Sequence, residues 1–164
     1  MKSEPVKSEL TANQIQQALE EAGLEVYTAS HDEIRVAERI RLHIMDSGIR
    51  LVLDDGILVR FTARCQRSDF PKETPEALFS RVRHVVGRTA LGRGYAEMGA
   101  ALVEVKDPVD DSHVLDTWHE VTFERSIASI EEAVSEVRWA LGVEKYVSGD
   151  EAHVTGAATE GAAN

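Results

Sequence analysis

Cysteine, histidine and paired carboxylates are the side chains best suited to chemistry, and this chain spreads them thinly. Cys65 is the single cysteine. Beside a histidine it could serve as a nucleophile. No catalytic signature surrounds it, and a small thiol near a strand end reads as a core residue. One cysteine excludes an internal disulfide and a cysteine-rich zinc site. His113 and His119 lie six apart beside Asp110, Asp111 and Asp116. A carboxylate–histidine cluster there would suit a small hydrolase or transferase, which is the enzymatic alternative. Tight His-x-x-x-His or Cys-x-x-Cys spacing is missing, so no metal is assigned. Catalytic residues and cofactors are likewise expected to be none. Gly87-Arg88-Thr89-Ala90-Leu91-Gly92-Arg93-Gly94 is glycine-rich and basic. A phosphate loop follows a strand and opens a helix. Here the order is helix then strand and the Lys-Ser/Thr ending is lacking, so the stretch reads as a helix end and a turn. Asp54-Asp55 and Asp110-Asp111 sit among turn residues, where carboxylates serve backbone hydrogen bonds.

Arginine is the remaining candidate. The 164 residues carry a net charge of −11. Residues 35–93, however, hold 12 basic and 7 acidic side chains, whereas residues 94–164 hold 4 and 15. Arg60, Arg64 and Arg67 fall near the end of one predicted strand, and Arg81, Arg83 and Arg88 on one predicted helix. Arg60, Arg64, Arg67, Arg81 and Arg88, with Trp118 at a strand edge, are the candidate partner-binding residues. The partner expected is an unknown protein or peptide. An acidic whole is repelled by nucleic acid and by anionic membranes. Stacking aromatics are also lacking near the arginines. Nucleic-acid binding through residues 35–93 therefore stands as a second alternative, and no membrane partner is expected.

Composition fits a soluble globular protein, with 43% hydrophobic and 29% charged residues. No apolar run reaches the roughly 18 residues of a membrane span. Met1-Lys2-Ser3-Glu4-Pro5 leads into no apolar core, so a cytoplasmic protein is expected. Residues 1–9 and 148–164 offer almost nothing to bury and are expected to be disordered tails. Residues 10–147 form the expected single domain.

The elements follow from periodicity. Thr11 caps a first helix with Ile15 and Leu19 on one face, and Gly23 ends it. A short strand spans residues 25–29, and Ser30-His31-Asp32 turns. Ile34, Val36, Ile40, Leu42 and Ile44 share one parity, which predicts a strand over residues 34–44. Asp46-Ser47-Gly48 reads as a turn, Ile49 to Leu53 as a strand, and Asp54-Asp55-Gly56 as a hairpin signal. Ile57 to Cys65 returns as a long strand. Thr74 and Pro75 open a second helix with Leu78, Val82, Val85 and Val86 as its stripe. Residues 95–106 and 118–123 read as strands. Ser129 with Glu132 opens a third helix as a capping box, with Ile130, Val134, Val137 and Leu141 on one face. Strands with one wet parity need helices on their other face. The fold class is therefore α+β, a two-layer domain with an antiparallel sheet and helices on one face.

This order, α-βββ-α-ββ-α, resembles the YbjN-type proteins, whose fold is similar to that of type III secretion chaperones. The resemblance covers residues 10–147. It is carried by Leu10-Thr11-Ala12 through Ala22-Gly23-Leu24, by Gly56-Ile57-Leu58-Val59-Arg60 and by Ser129 through Leu141-Gly142-Val143. The arginine-rich, lysine-poor basic set, 13 Arg to 5 Lys, is similar to that of members from high-GC bacteria. The resemblance implies a non-enzymatic, chaperone-like or regulatory protein-binding domain, described in that family as a putative sensory-transduction regulator, and a homodimer. It supplies no functional residue. The chain departs from many relatives in its glycine-rich Gly87–Gly99 stretch. With aromatic residues at 5%, it also lacks a conspicuous aromatic cluster.

Overall fold

A computed structural model describes residues 11–148. The expected tails, 1–9 and 148–164, lie outside the described residues apart from Ser148.

The first helix, α1 (Ala12–Glu21), starts where Thr11 accepts a hydrogen bond from the Gln14 amide and Gln14 answers to the Thr11 amide. That reciprocal box satisfies two of the amides a helix start leaves orphaned. Gly23, at φ +90°, ends the helix as its type predicts. Four strands follow: β1 (Val26–Ser30), β2 (Glu33–Ile40), β3 (His43–Leu53) and β4 (Ile57–Gln66). The β3–β4 turn places Asp55 and Gly56 at positive φ, as the Asp-Gly signal requires. A short 3-10 turn, Arg67–Asp69, leads to α2 (Pro75–Val82), a π-turn over Arg83–Gly87 and α3 (Arg88–Gly92). Then come β5 (Ala96–Lys106), β6 (Val114–Ile127) and α4 (Ile130–Leu141). The strands form one six-stranded antiparallel sheet in the order β1-β2-β3-β4-β6-β5. The α+β class holds, with four strands rather than three before the second helical stretch.

The strand that the expected order omits is the short β1. The run over residues 34–44 is divided differently from expectation: it turns back at Arg41-Leu42, with Arg41 at φ +58°, so its first half is β2 and its second half joins residues 49–53 in β3. The parity of Ile34, Val36, Ile40, Leu42 and Ile44 stays unbroken across the turn, which is why it conceals the reversal. Asp46-Ser47-Gly48, read as a turn, lies inside β3 as a bulge. Val36 pairs with Ile49, but the next residue, Ala37, pairs with Asp46. The buried Ser47 hydroxyl donates to the Val36 carbonyl at 2.7 Å and accepts from the Ile49 amide at 3.2 Å. The signal was sound as a backbone irregularity and wrong only about the chain reversing there.

Contacts group the described residues into two compact units: 11–61, 94–96 and 123–143 in one, and 62–93, 97–122 and 144–148 in the other. The first unit buries Ile15 and Leu19 of α1 with alternate residues of β2 to β4, namely Ile34, Val36, Ile49, Leu51, Val59 and Phe61. From α4 it buries Ala133, Val137 and Ala140. An aromatic cluster does exist there. Phe61 lies 5.3 Å from Tyr95, 5.4 Å from Phe123 and 5.8 Å from Trp139, ring centre to ring centre. Its four members are far apart in sequence, so only folding brings them together. Glu136 is buried beside them, accepting from the Tyr95 hydroxyl at 3.0 Å and paired with Arg125 at 2.7 Å. The second unit buries Ala63, Cys65, Leu78, Val82, Val86, Ala90, His119, Val121 and Val147.

Candidate functional site

Buried and less buried residues alternate over residues 33–36 of β2, 47–52 of β3 and 57–61 of β4, so the residues there that face away from the core share the other face. Cross-strand register then sets three arginines in one row. Tyr27 on β1 is opposite Arg35 on β2, Arg35 is opposite Arg50 on β3, and Arg50 is opposite Arg60 on β4. Like charges directly opposite each other across an antiparallel pair destabilise a sheet. Carboxylates offset part of that cost. Glu33 accepts from Arg35 Nε at 2.9 Å, and Glu124 accepts from Arg60 Nε at 2.7 Å. Glu33, followed by the Tyr27 hydroxyl, holds the Arg35 guanidinium even more firmly protonated than usual.

Arg50 is the exception. Its nearest carboxylate is the same Glu33 oxygen that Arg35 occupies, and it approaches only to 3.9 Å, beyond hydrogen-bond range. Among the described residues no acceptor meets its guanidinium at hydrogen-bond distance. The Arg50 side chain retains 34% of its exposure, between neighbours at 43% for Arg35 and 30% for Arg60. Three guanidinium groups thus stand side by side against two carboxylates, with the middle one holding free donors. Val52 and Leu58, half-buried and opposite one another one step along the strands, supply an apolar flank. An incoming carboxylate or phosphate oxygen on this face would meet planar, forked donors suited to two-point recognition.

Only Arg60 of the partner-binding candidates belongs to this row. The others lie in the second unit, each in a different setting. Arg64 pairs with Glu120 at 3.4 Å and stacks over the Trp118 ring, 4.1 Å from its centre. That contact places Trp118 beneath a cation rather than at a bare edge. Arg67 donates to the carbonyls of Phe70, at 3.1 Å, and Glu73. Arg81 pairs with Glu73 at 2.5 Å and covers the Phe70 ring. Arg83 is held by Glu97 at 2.8 Å. Arg88 stands exposed at the start of α3. Arg64 ties β4 to β6 and Arg67, Arg81 and Arg83 fasten the second unit's loop and helix, whereas Arg35 and Arg50 carry the row and were not singled out from sequence. Their signal was present: alternation along β2, β3 and β4 puts each on the wet parity. The register that aligns them depends on the bulge at Ser47.

The Asp110–His119 stretch does not converge. Asp110 accepts from the Ser112 hydroxyl and amide in an exposed turn, which lowers its pKa. His113 is exposed and faces Asp107 at 3.7 Å. Asp116 binds the Ser68 amide and hydroxyl at 3.0 and 2.6 Å. His119 is buried on β6 against the Phe79 ring, with Nδ1 lacking a partner among the described residues. Burial, helped by the Arg67 charge, pushes its pKa down. Cys65 is fully buried, and burial pushes its thiol up to about 12, so it is no ready thiolate. Among the described residues no group of three or more His, Cys, Asp or Glu is placed to hold a metal ion. No helix there is long and apolar enough to cross a membrane.

No family model, curated protein or solved structure matches this chain.

Proposed function

We propose that the protein is a non-enzymatic, chaperone-like or regulatory domain that binds an acidic polypeptide segment on the open face of its sheet. The observation that carries this reading is Arg50, a half-exposed guanidinium without a hydrogen-bonded acceptor, set between Arg35 and Arg60 by strand register. The YbjN-type resemblance, with its chaperone-like relatives, points to the same class of activity. A flat two-dimensional array of forks suits carboxylates spaced along an extended chain, and Val52 with Leu58 would receive an apolar side chain between them.

The test is fluorescence anisotropy with a labelled glutamate-rich peptide, its glutamine counterpart and a single-stranded oligonucleotide. Saturable binding of the acidic peptide alone is the expected result. Arg50→Gln should weaken it about tenfold, the loss of roughly one charge-assisted hydrogen bond. No binding of the acidic peptide, or binding indifferent to Arg50→Gln, would overturn the reading. Tighter binding of the oligonucleotide would replace it with nucleic-acid recognition.

A further inference from the structure

The three arginines of the row are not equally open to a ligand. Arg35 and Arg60 already hold Glu33 and Glu124, at 2.9 and 2.7 Å. Arg50 alone has donors to give, so the row has room for one further carboxylate. A second ligand carboxylate beside the first would come close to Glu33 on one side or Glu124 on the other, and like charges at that range repel. The net charge of −11 adds to this cost with each acid the ligand carries.

The surroundings of Arg50 also differ along its own strand. Val52, two residues on, shares its face, and Leu58 lies directly opposite Val52 on β4. Both are half-buried. Two residues back stands Gly48, which has no side chain to offer. The apolar pair therefore lies on one side of the free guanidinium, about 7 Å along the strand. Glu33 closes its flank, opposite Val52 on β2. A carboxylate laid over Val52 and Leu58 would lose water without gaining a donor, and would face Glu33 besides.

We infer that the ligand is an extended segment with one acidic residue and an apolar residue two positions from it, rather than a run of acidic residues. This rests on the reading of the open face as a site for an acidic segment, and narrows it. In an extended chain residues i and i+2 share a face and stand about 7 Å apart, the same interval as Arg50 to Val52. The acid then meets the Arg50 fork while the apolar side chain covers Val52 and Leu58. A residue adjacent to the acid points away from the sheet, so spacing is read as well as composition.

Three labelled peptides of equal length, otherwise threonine and serine, separate the two. One contains Leu-Thr-Glu-Thr-Leu, the second Thr-Leu-Glu-Leu-Thr, and the third a run of glutamates. The first two have the same composition and charge. By fluorescence anisotropy the first should bind about tenfold more tightly than the second, the effect of burying much of a leucine side chain. The double variant Val52→Thr/Leu58→Thr changes two outward-facing positions to a strand-favouring residue, so its circular dichroism spectrum should match wild type. It should erase the difference between the first two peptides and leave the affinity for the glutamate run unaltered. Equal binding of the two isomers would overturn the inference, as would a preference that survives the threonine pair or a glutamate run that binds more tightly than the first peptide. In those cases binding of the glutamate run that still depends on Arg50 would leave the broader reading standing. Absence of Arg50-dependent binding by all three peptides would remove both.

Discussion

His119 illustrates how burial changes the meaning of a residue type. In sequence it sits beside three aspartates and reads as half of a polar cluster. In the fold it lies under the Phe79 ring, and desolvation favours its neutral form. The pH dependence follows from that direction. The unfolded state takes up a proton near the ordinary value of about 6.5, whereas the folded state does so only at lower pH. This contribution to stability is therefore complete above about pH 6.5 and is lost as pH falls toward the lowered folded value. Melting temperatures across that window should decline for wild type, and the decline should be shallower for His119→Gln. Equal slopes would show that other groups set the acid limb. Arg50 makes the converse point. Nothing about its own residue type distinguishes it from twelve other arginines, and only its neighbours in register leave it without an acceptor.

Elements were more legible than sites because their signals are local. Thr74 accepts from the Ala77 amide, and Pro75 occupies the first helical position, both as their types predict. Ser129 accepts from the Glu132 amide at 3.1 Å. The return bond of the expected capping box differs, because Glu132 reaches past the cap to the Ala128 amide at 2.7 Å and also binds Arg125. Ser129→Ala should still cost about 1 kcal/mol in a urea titration, the usual value of a cap. A cost near zero would mean that the Glu132 bonds hold the helix start by themselves. The stripe of α4 was also only partly legible. Val137 is buried as expected, but Ala133, Glu136 and Ala140 share the buried face, while Ile130, Val134 and Leu141 sit at its margin. A glutamate on a core face breaks an apolar periodicity. It is tolerated here because Arg125 and Tyr95 meet its carboxylate.

At the scale of the whole molecule, the charge of −11 and the arginine row act in opposite directions on the same ligand. An acidic peptide is repelled at a distance and held at contact. Salt screens long-range repulsion between exposed charges, and it also weakens short-range pairing. The row brings only three guanidinium groups to bear, so added salt should first raise the association rate of the acidic peptide and then lower its affinity at high ionic strength. A nucleic-acid site would behave differently, losing affinity monotonically with a steep slope. Stopped-flow association over a salt series separates the two, and a monotonic fall from the lowest salt would count against the acidic-peptide reading.

The sequence by itself determined the fold class, the helix starts at Thr11, Thr74 and Ser129, the hairpin at Asp55-Gly56 and the wet parity on which Arg60 lies. Each of these rests on residues within a few positions of one another, so a local pattern suffices. Tertiary structure alone decided the rest. Whether residues 34–44 run on or reverse depends on which strands lie alongside, because alternation is the same on both sides of a tight turn. The aromatic cluster of Phe61, Tyr95, Phe123 and Trp139 joins four distant segments. The row of Arg35, Arg50 and Arg60 depends on register, and two residues inserted at the Ser47 bulge separate that row from the hairpin end beyond it. Periodicity specifies the face on which a residue lies; register, set by packing and by that bulge, specifies what stands beside it.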